Sequence, residues 1–187
     1  GVARLRLPHL DVTAGLVVGA AGVLLVDTGS TLREGAELRG RIEALTGRPV
    51  THVVLTHGHF DHVGGTAAFP EARVYGHASL GGYLRRGRDT MSAEAVRYGT
   101  DPREAAEAAR ALVLPGHPVN GELALDLGGR PVLLVHPGKG HTGHDLAVLV
   151  PGATGSDPAV LFCGDLVEES GEPQAGDDAA PDHWPAA

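Results

Sequence analysis

The sequence predicts an α/β domain built in layers, and three observations carry that prediction. Strand-like and helix-like segments alternate between Val12 and Tyr75, the pattern of a sheet covered by helices. Beyond Glu122, four short apolar runs follow one another through Gly-rich turns, as a largely antiparallel sheet requires. The length of 187 residues suits one domain over 1–187 rather than two. A chain of that size buries roughly 70% of its unfolded surface without help from disulfides.

Residues 12–19 and 22–26 read as paired strands, β-branched and bounded by Gly, turning near Ala20-Ala21. Asp27-Thr28-Gly29-Ser30 closes the second of them with turn residues. Ala36, Leu38, Ile42 and Leu45 recur at near-helical spacing and predict a helix over 33–45, ended by Gly47 and Pro49. Residues 50–55 form a short apolar strand, 64–69 a helical turn and 73–75 another strand. From 78 to 111 the pattern predicts helix in pieces, broken at Gly81-Gly82, Gly87, Gly99 and Pro102. Asp101 caps the last piece, whose first residue is Pro102. Strands are expected at 122–127, 131–135, 146–150 and 159–162, and the Gly-, Asp- and Pro-rich stretch 168–185 is expected as loop.

Composition excludes several functions. Fifteen basic and 23 acidic side chains give a net charge of −8, with Arg85, Arg86 and Arg88 the one basic block. A nucleic-acid partner needs a positive surface and is not expected. The longest apolar stretch, 15–26, falls short of the roughly 20 residues that span a bilayer. It is rich in Val and Gly and runs into Asp27, so it reads as strands rather than a signal peptide, and a cytoplasmic location with no membrane partner is expected. The single Cys163 excludes an internal disulfide and a cysteine-rich zinc site. A lone lysine, Lys139, among abundant Ala, Gly and Pro points to GC-rich bacterial coding. Oligomeric state is not legible.

The chemistry lies in His57-Gly58-His59-Phe60-Asp61-His62. Imidazole and carboxylate are preferred ligands of zinc and similar first-row ions. His57 and His59, two apart in extended chain, project to one side, and Gly64-Gly65 lets the chain turn after Asp61 and His62. Four ligands from so tight a loop favour two adjacent ions over one.

The run Thr56 to Gly65 resembles the signature loop of the metallo-β-lactamase superfamily. Asp27-Thr28-Gly29, Gly140-His141-Thr142-Gly143-His144 and Phe162-Cys163-Gly164-Asp165 resemble its other landmarks, in the family's order. The resemblance implies an αββα four-layer sandwich. It also implies that His57, His59 and His141 hold one divalent ion, and that Asp61 and His62 hold a second, with Asp165 bridging both. Zinc is the expected metal, with iron or manganese as alternatives. Asp27 is expected to hold the loop by hydrogen bonds rather than ligate. The family's last histidine, in a Gly-His pair after a further helix and strand, has no counterpart before Ala187. Two readings are therefore open: the sequence is a fragment of a longer protein, its sandwich here lacking the C-terminal helix and strand, or the second metal site is incomplete, with His183 a lesser substitute.

The implied activity is hydrolysis of a small-molecule thioester, lactone, ester or amide by a metal-activated hydroxide, which Asp61 would orient. Hydroxyacylglutathione hydrolases are the branch it resembles most, because of the bridging Asp165. Two alternatives stand beside it: a mononuclear iron persulfide dioxygenase using His57, His141 and Asp165, and a non-catalytic metal-binding module. Tyr83, Arg85, Arg86, Arg88 and Tyr98 read equally as a cleft wall or a solvated helix face. Cys163 is expected as a buried small hydrophobe, and His144 as a structural residue.

Overall fold

A computed structural model describes residues 1–154, 156–168 and 172–184. The first strands are β1 (Val2–Arg6), β2 (Thr13–Val18) and β3 (Val23–Val26), followed by helix α1 (Leu32–Thr46) and strand β4 (His52–Val54). A short helix α2 (Phe60–Val63) precedes β5 (Arg73–His77), helix α3 (Leu80–Arg97), helix α4 (Pro102–Arg110) and β6 (His117–Val119). Strands β7 (Glu122–Asp126), β8 (Pro131–Val135), β9 (Ala147–Val150) and β10 (Val160–Phe162) complete the described elements.

Two sheets result. The first runs in chain order from β1 to β6, antiparallel from β1 to β3 and parallel from β3 to β6. The second has the order β10-β9-β8-β7 and is antiparallel throughout, as the evenly spaced apolar runs predicted.

Side-chain alternation explains the layering, because successive residues of a strand point to opposite faces. In β3, Val23 and Leu25 join the core beneath the helices with Leu38, Ile42 and Leu80, whereas Leu24 and Val26 join a second core with Leu134 and Val148 of the other sheet. Val53 and Val54 of β4 divide in the same way. The first sheet is thus buried on both faces, between helices and the second sheet. That is why its central strands carry unbroken apolar runs.

Helix α1 extends the predicted span by one residue at each end. The Thr31 hydroxyl accepts from the Glu34 N–H at 3.2 Å, and Gly47 closes the helix in the left-handed conformation at φ 66°. Helix α4 begins as expected, with the Asp101 carboxylate accepting from the Arg103 and Glu104 N–H groups. Helix α3 corrects the expectation of separate pieces, since it continues through Gly81, Gly82 and Gly87. Each glycine weakens a helix by about 1 kcal/mol relative to Ala. The burial of Leu80, Leu84, Met91 and Ala95 offsets that loss, at roughly 1.5–3 kcal/mol for each large apolar side chain. Strands β1 and β6 extend the sheet beyond the predicted elements, and Pro118 is tolerated because β6 is an edge.

Candidate metal centre

The histidine loop leaves the carboxyl end of β4, at the seam between the two sheets. Its backbone is pressed against the segment after β3. A Cβ on Gly64 would stand 2.0 Å from the Ser30 carbonyl oxygen, and one on Gly65 would stand 2.1 Å from that of Thr28. Only glycine permits this approach. The Thr28 N–H donates to the His62 carbonyl at 2.9 Å, and the Gly65 N–H to that of Gly29 at 3.0 Å.

Three imidazoles converge. Nε2 of His57 and Nε2 of His141 stand 3.1 and 2.9 Å from Nδ1 of His59, and all three nitrogens lie within 4.8 Å of one another. Nitrogens about 2.0–2.1 Å from one tetrahedral zinc ion stand roughly 3.3 Å apart, so the cluster has the size of such a site. His57, His62 and Asp165 form a second group of the same compactness. Asp165 lies between the two, its Oδ2 3.7 Å from His141 Nε2 and 3.9 Å from His57 Nε2, its Oδ1 3.2 Å from His62 Nε2. Asp61 Oδ2 is 3.5 Å from the same His62 nitrogen. His62 Nε2 is buried without a hydrogen-bond partner, an orphaned polar atom that a cation would satisfy.

The second nitrogens of the rings are engaged elsewhere. His62 Nδ1 donates to Asp27 at 2.8 Å, and His141 Nδ1 to the Gln174 carbonyl at 2.9 Å. His59 Nε2 faces both oxygens of Asp178 at 3.3 Å. Asp27 also accepts from the Thr56 N–H and hydroxyl at 2.8 and 2.7 Å, the holding role expected of it. Asp145 fixes the His141 loop by accepting from the Thr142 hydroxyl at 2.6 Å and from the Thr142 and Gly140 N–H groups.

Protonation suits cation binding. Burial holds His57 well below the ordinary histidine range, with neighbouring imidazoles adding to the effect, and burial lowers His141 as well. Burial opposes ionisation of Asp165, but His62 outweighs it and brings the carboxyl to about 2. For His62, burial is outweighed by Asp61, Asp27 and Asp165, which raise its pKa well above the usual value. The centre therefore offers His57 and His141 as neutral imidazoles beside ionised carboxylates, the forms that bind metals. At His59 and His62 burial is outweighed by neighbouring carboxylates that raise the pKa, so these two would release a proton on binding a cation.

A cleft of about 890 Å³ opens beside the cluster, reaching His59, Asp61, His62, His141 and Asp165. Leu10, Tyr98, Leu161 and Phe162 supply apolar wall. Tyr83 lines the cleft too, while Arg85, Arg86 and Arg88 do not. Cys163 corrects an expectation: it is half-buried and faces the cleft rather than the core. His144 packs against Tyr83, with ring centroids 4.4 Å apart, and burial lowers its pKa to about 4. His183 is exposed and joins neither histidine group. Asp145, Gln174 and Asp178 carried no sequence signal of their role. Among the described residues, no helix is long and apolar enough to cross a membrane.

Residues 7–186 match the metallo-beta-lactamase superfamily, and the chain belongs to that family. It is 30% identical over 162 residues to metallo-beta-lactamase domain-containing protein 1 of Xenopus laevis, covering 87% of this chain and 57% of that protein. It is 35% identical over 137 residues to "Probable metallo-hydrolase Rv2300c" of Mycobacterium tuberculosis, covering 65% of this chain and 38% of the relative. The chain thus spans little more than half the length of these relatives, or less. Two solved structures share the fold. Metallo-beta-lactamase IND-7 superposes with a TM-score of 0.68 at 20% identity, over 92% of this chain and 68% of that one. The metallo-beta-lactamase from Pontibacter korlensis gives 0.64 at 21%, over 99% and 77%.

Proposed function

We propose that the protein is a hydrolase of small thioesters, lactones, esters or amides that works with two divalent ions, zinc foremost. The observation that carries this reading is Asp165, whose two oxygens face the His57–His59–His141 cluster on one side and His62 on the other. A carboxylate so placed suits two neighbouring cations. His57, His59 and His141 would hold the first, Asp61 and His62 the second, and Asp165 both. Bound there, the ions supply an acidified water and a Lewis acid for the carbonyl oxygen.

The chain's own groups do the remaining work. Asp27 accepts the His62 Nδ1–H and so leaves Nε2, beside Asp165, as the nitrogen that would take a cation in exchange for its proton. Asp61 presents a second acceptor beside the same nitrogen, where it can orient an attacking water through an O–H···Oδ bond. The apolar wall near Leu10 and Phe162 would hold the organic part of the substrate and exclude bulk water. The Asp165 carboxylate favours a thioesterase resembling hydroxyacylglutathione hydrolases.

Elemental analysis of the purified protein, combined with a thioester and lactone panel before and after chelation, tests this. Two zinc ions per chain and chelator-sensitive turnover are expected. A single oxidisable iron with no hydrolysis would instead favour persulfide oxygenation through His57, His141 and Asp165, and metal without turnover a binding module.

A further inference from the structure

The C-terminal residues 172–184 carry no regular strand, yet they meet the metal centre at several points. The Ala180 N–H donates to the Gly140 carbonyl at 2.8 Å, joining this segment to the His141 loop. Trp184 donates from Nε1 to the Leu166 carbonyl at 3.0 Å and sets its ring edge-on to His141, with centroids 5.6 Å apart. Gln174 presents its carbonyl to His141 Nδ1. Asp178 presents both carboxylate oxygens to His59 Nε2.

His59 differs from its two partners in the nitrogen it turns inward. His57 and His141 point Nε2 into the cluster, whereas His59 points Nδ1. Its Nε2 is therefore the atom that must carry the ring proton if Nδ1 is to bind a cation. A carboxylate opposite that proton fixes the tautomer, holds the ring plane and increases the basicity of the inward nitrogen. Resting on the metal-centre reading above, we propose that Asp178 is a positioning residue for His59. It locks the Nε2–H tautomer so that Nδ1 faces the metal, with residues 172–184 serving as the strap that delivers it.

Competition for zinc with a chromophoric chelator tests the assignment on wild-type protein, Asp178→Ala, Asp178→Asn and Asp182→Ala. Asp182 is an exposed acid on the same segment and controls for charge alone. Asp178→Ala should weaken zinc binding about 10–100-fold, and Asp178→Asn less, because its amide oxygen still accepts one hydrogen bond. Asp182→Ala should stay within about twofold of wild type, the scale of a screened surface charge. In long-range proton–nitrogen spectra of the zinc form, the His59 Nε2–H signal should be protected in wild type and exchange-broadened in Asp178→Ala. Should Asp178→Ala fail to fold, the same comparison rests on Asp178→Asn. Wild-type affinity in Asp178→Ala, or an equal loss in Asp182→Ala, overturns the assignment while leaving the metal centre intact. A wild-type protein that takes up no zinc overturns both.

Discussion

Asp27 and His62 are buried together, each no more than 3% exposed, with the carboxylate 2.8 Å from Nδ1 of the imidazole. Asp27 holds this position from a left-handed backbone conformation at φ 63°, which Asp and Asn tolerate better than most residues. One side chain at the end of β3 thereby fixes a ring of the histidine loop and, through Thr56, the strand end from which that loop leaves.

Asp27→Asn keeps the backbone preference but removes the charge and one of the acceptor oxygens. Of the three donors from Thr56 and His62, at least one would then meet an NH2 group. Denaturant titration of the metal-free protein should show a loss of about 2–3 kcal/mol, the scale of a buried hydrogen bond to a charged group. An unchanged midpoint would mean that Asp27 does not hold the loop.

Gly64 and Gly40 should respond in opposite directions to alanine. At Gly64 the added carbon would meet the Ser30 backbone at 2.0 Å, and backbone cannot rotate away. Overpacking of about 3 kcal/mol or more is expected. At Gly40, inside α1, nothing lies within 4 Å, so Gly40→Ala should raise stability by about 0.5–1 kcal/mol. Thermal melts of the two variants check the contrast.

Metal removal should lower the melting temperature. A ligand at 100 times its dissociation constant stabilises the native state by about 2.7 kcal/mol. In a chain of this size that amounts to a shift of about 5–10 °C. Scanning calorimetry with and without a chelator measures it, and coincident melts would count against a metal-bound resting state.

His52 should make stability depend on pH, away from the cluster. Burial lowers its pKa in the folded protein, helped by the charges of Arg73 and His117. The unfolded chain therefore takes up a proton more readily as pH falls through about 6.5. The stability contribution is present above that value and is lost as pH falls towards the folded pKa. Replacing His52 by Gln should flatten the acid limb of stability against pH, and an unaltered slope would assign that limb to other groups.

Most of the fold and of the cluster was legible in the sequence. Strands β2 and β3, helix α1 and the four later strands carried their own periodicity, and the histidines stood as a dense run at a strand end. What escaped depends on tertiary context. Helix α3 contains three glycines that argue locally against continuity, and only the buried face of Leu80, Leu84, Met91 and Ala95 outweighs them. Asp178 sits in an aperiodic Gly-Asp-Asp run, 119 residues from His59. No spacing rule links such positions, because the chain path that brings them together is set by the packing of the two sheets. Strand β1 was within reach, since Val2, Arg4 and Arg6 alternate with the buried Leu5 on the opposite face.

The seam between the sheets gives the folding reaction an order. The histidine loop hangs from β4 in one sheet and Asp165 follows β10 in the other, so neither sheet alone contains the cluster. Docking must close a loop of about a hundred residues, a contact of high sequence separation that is expected to form late. Capture of a cation by the full ligand set would then mark the final step of assembly. A chain whose sheets are formed but undocked would offer zinc only the partial set of His57, His59, Asp61 and His62.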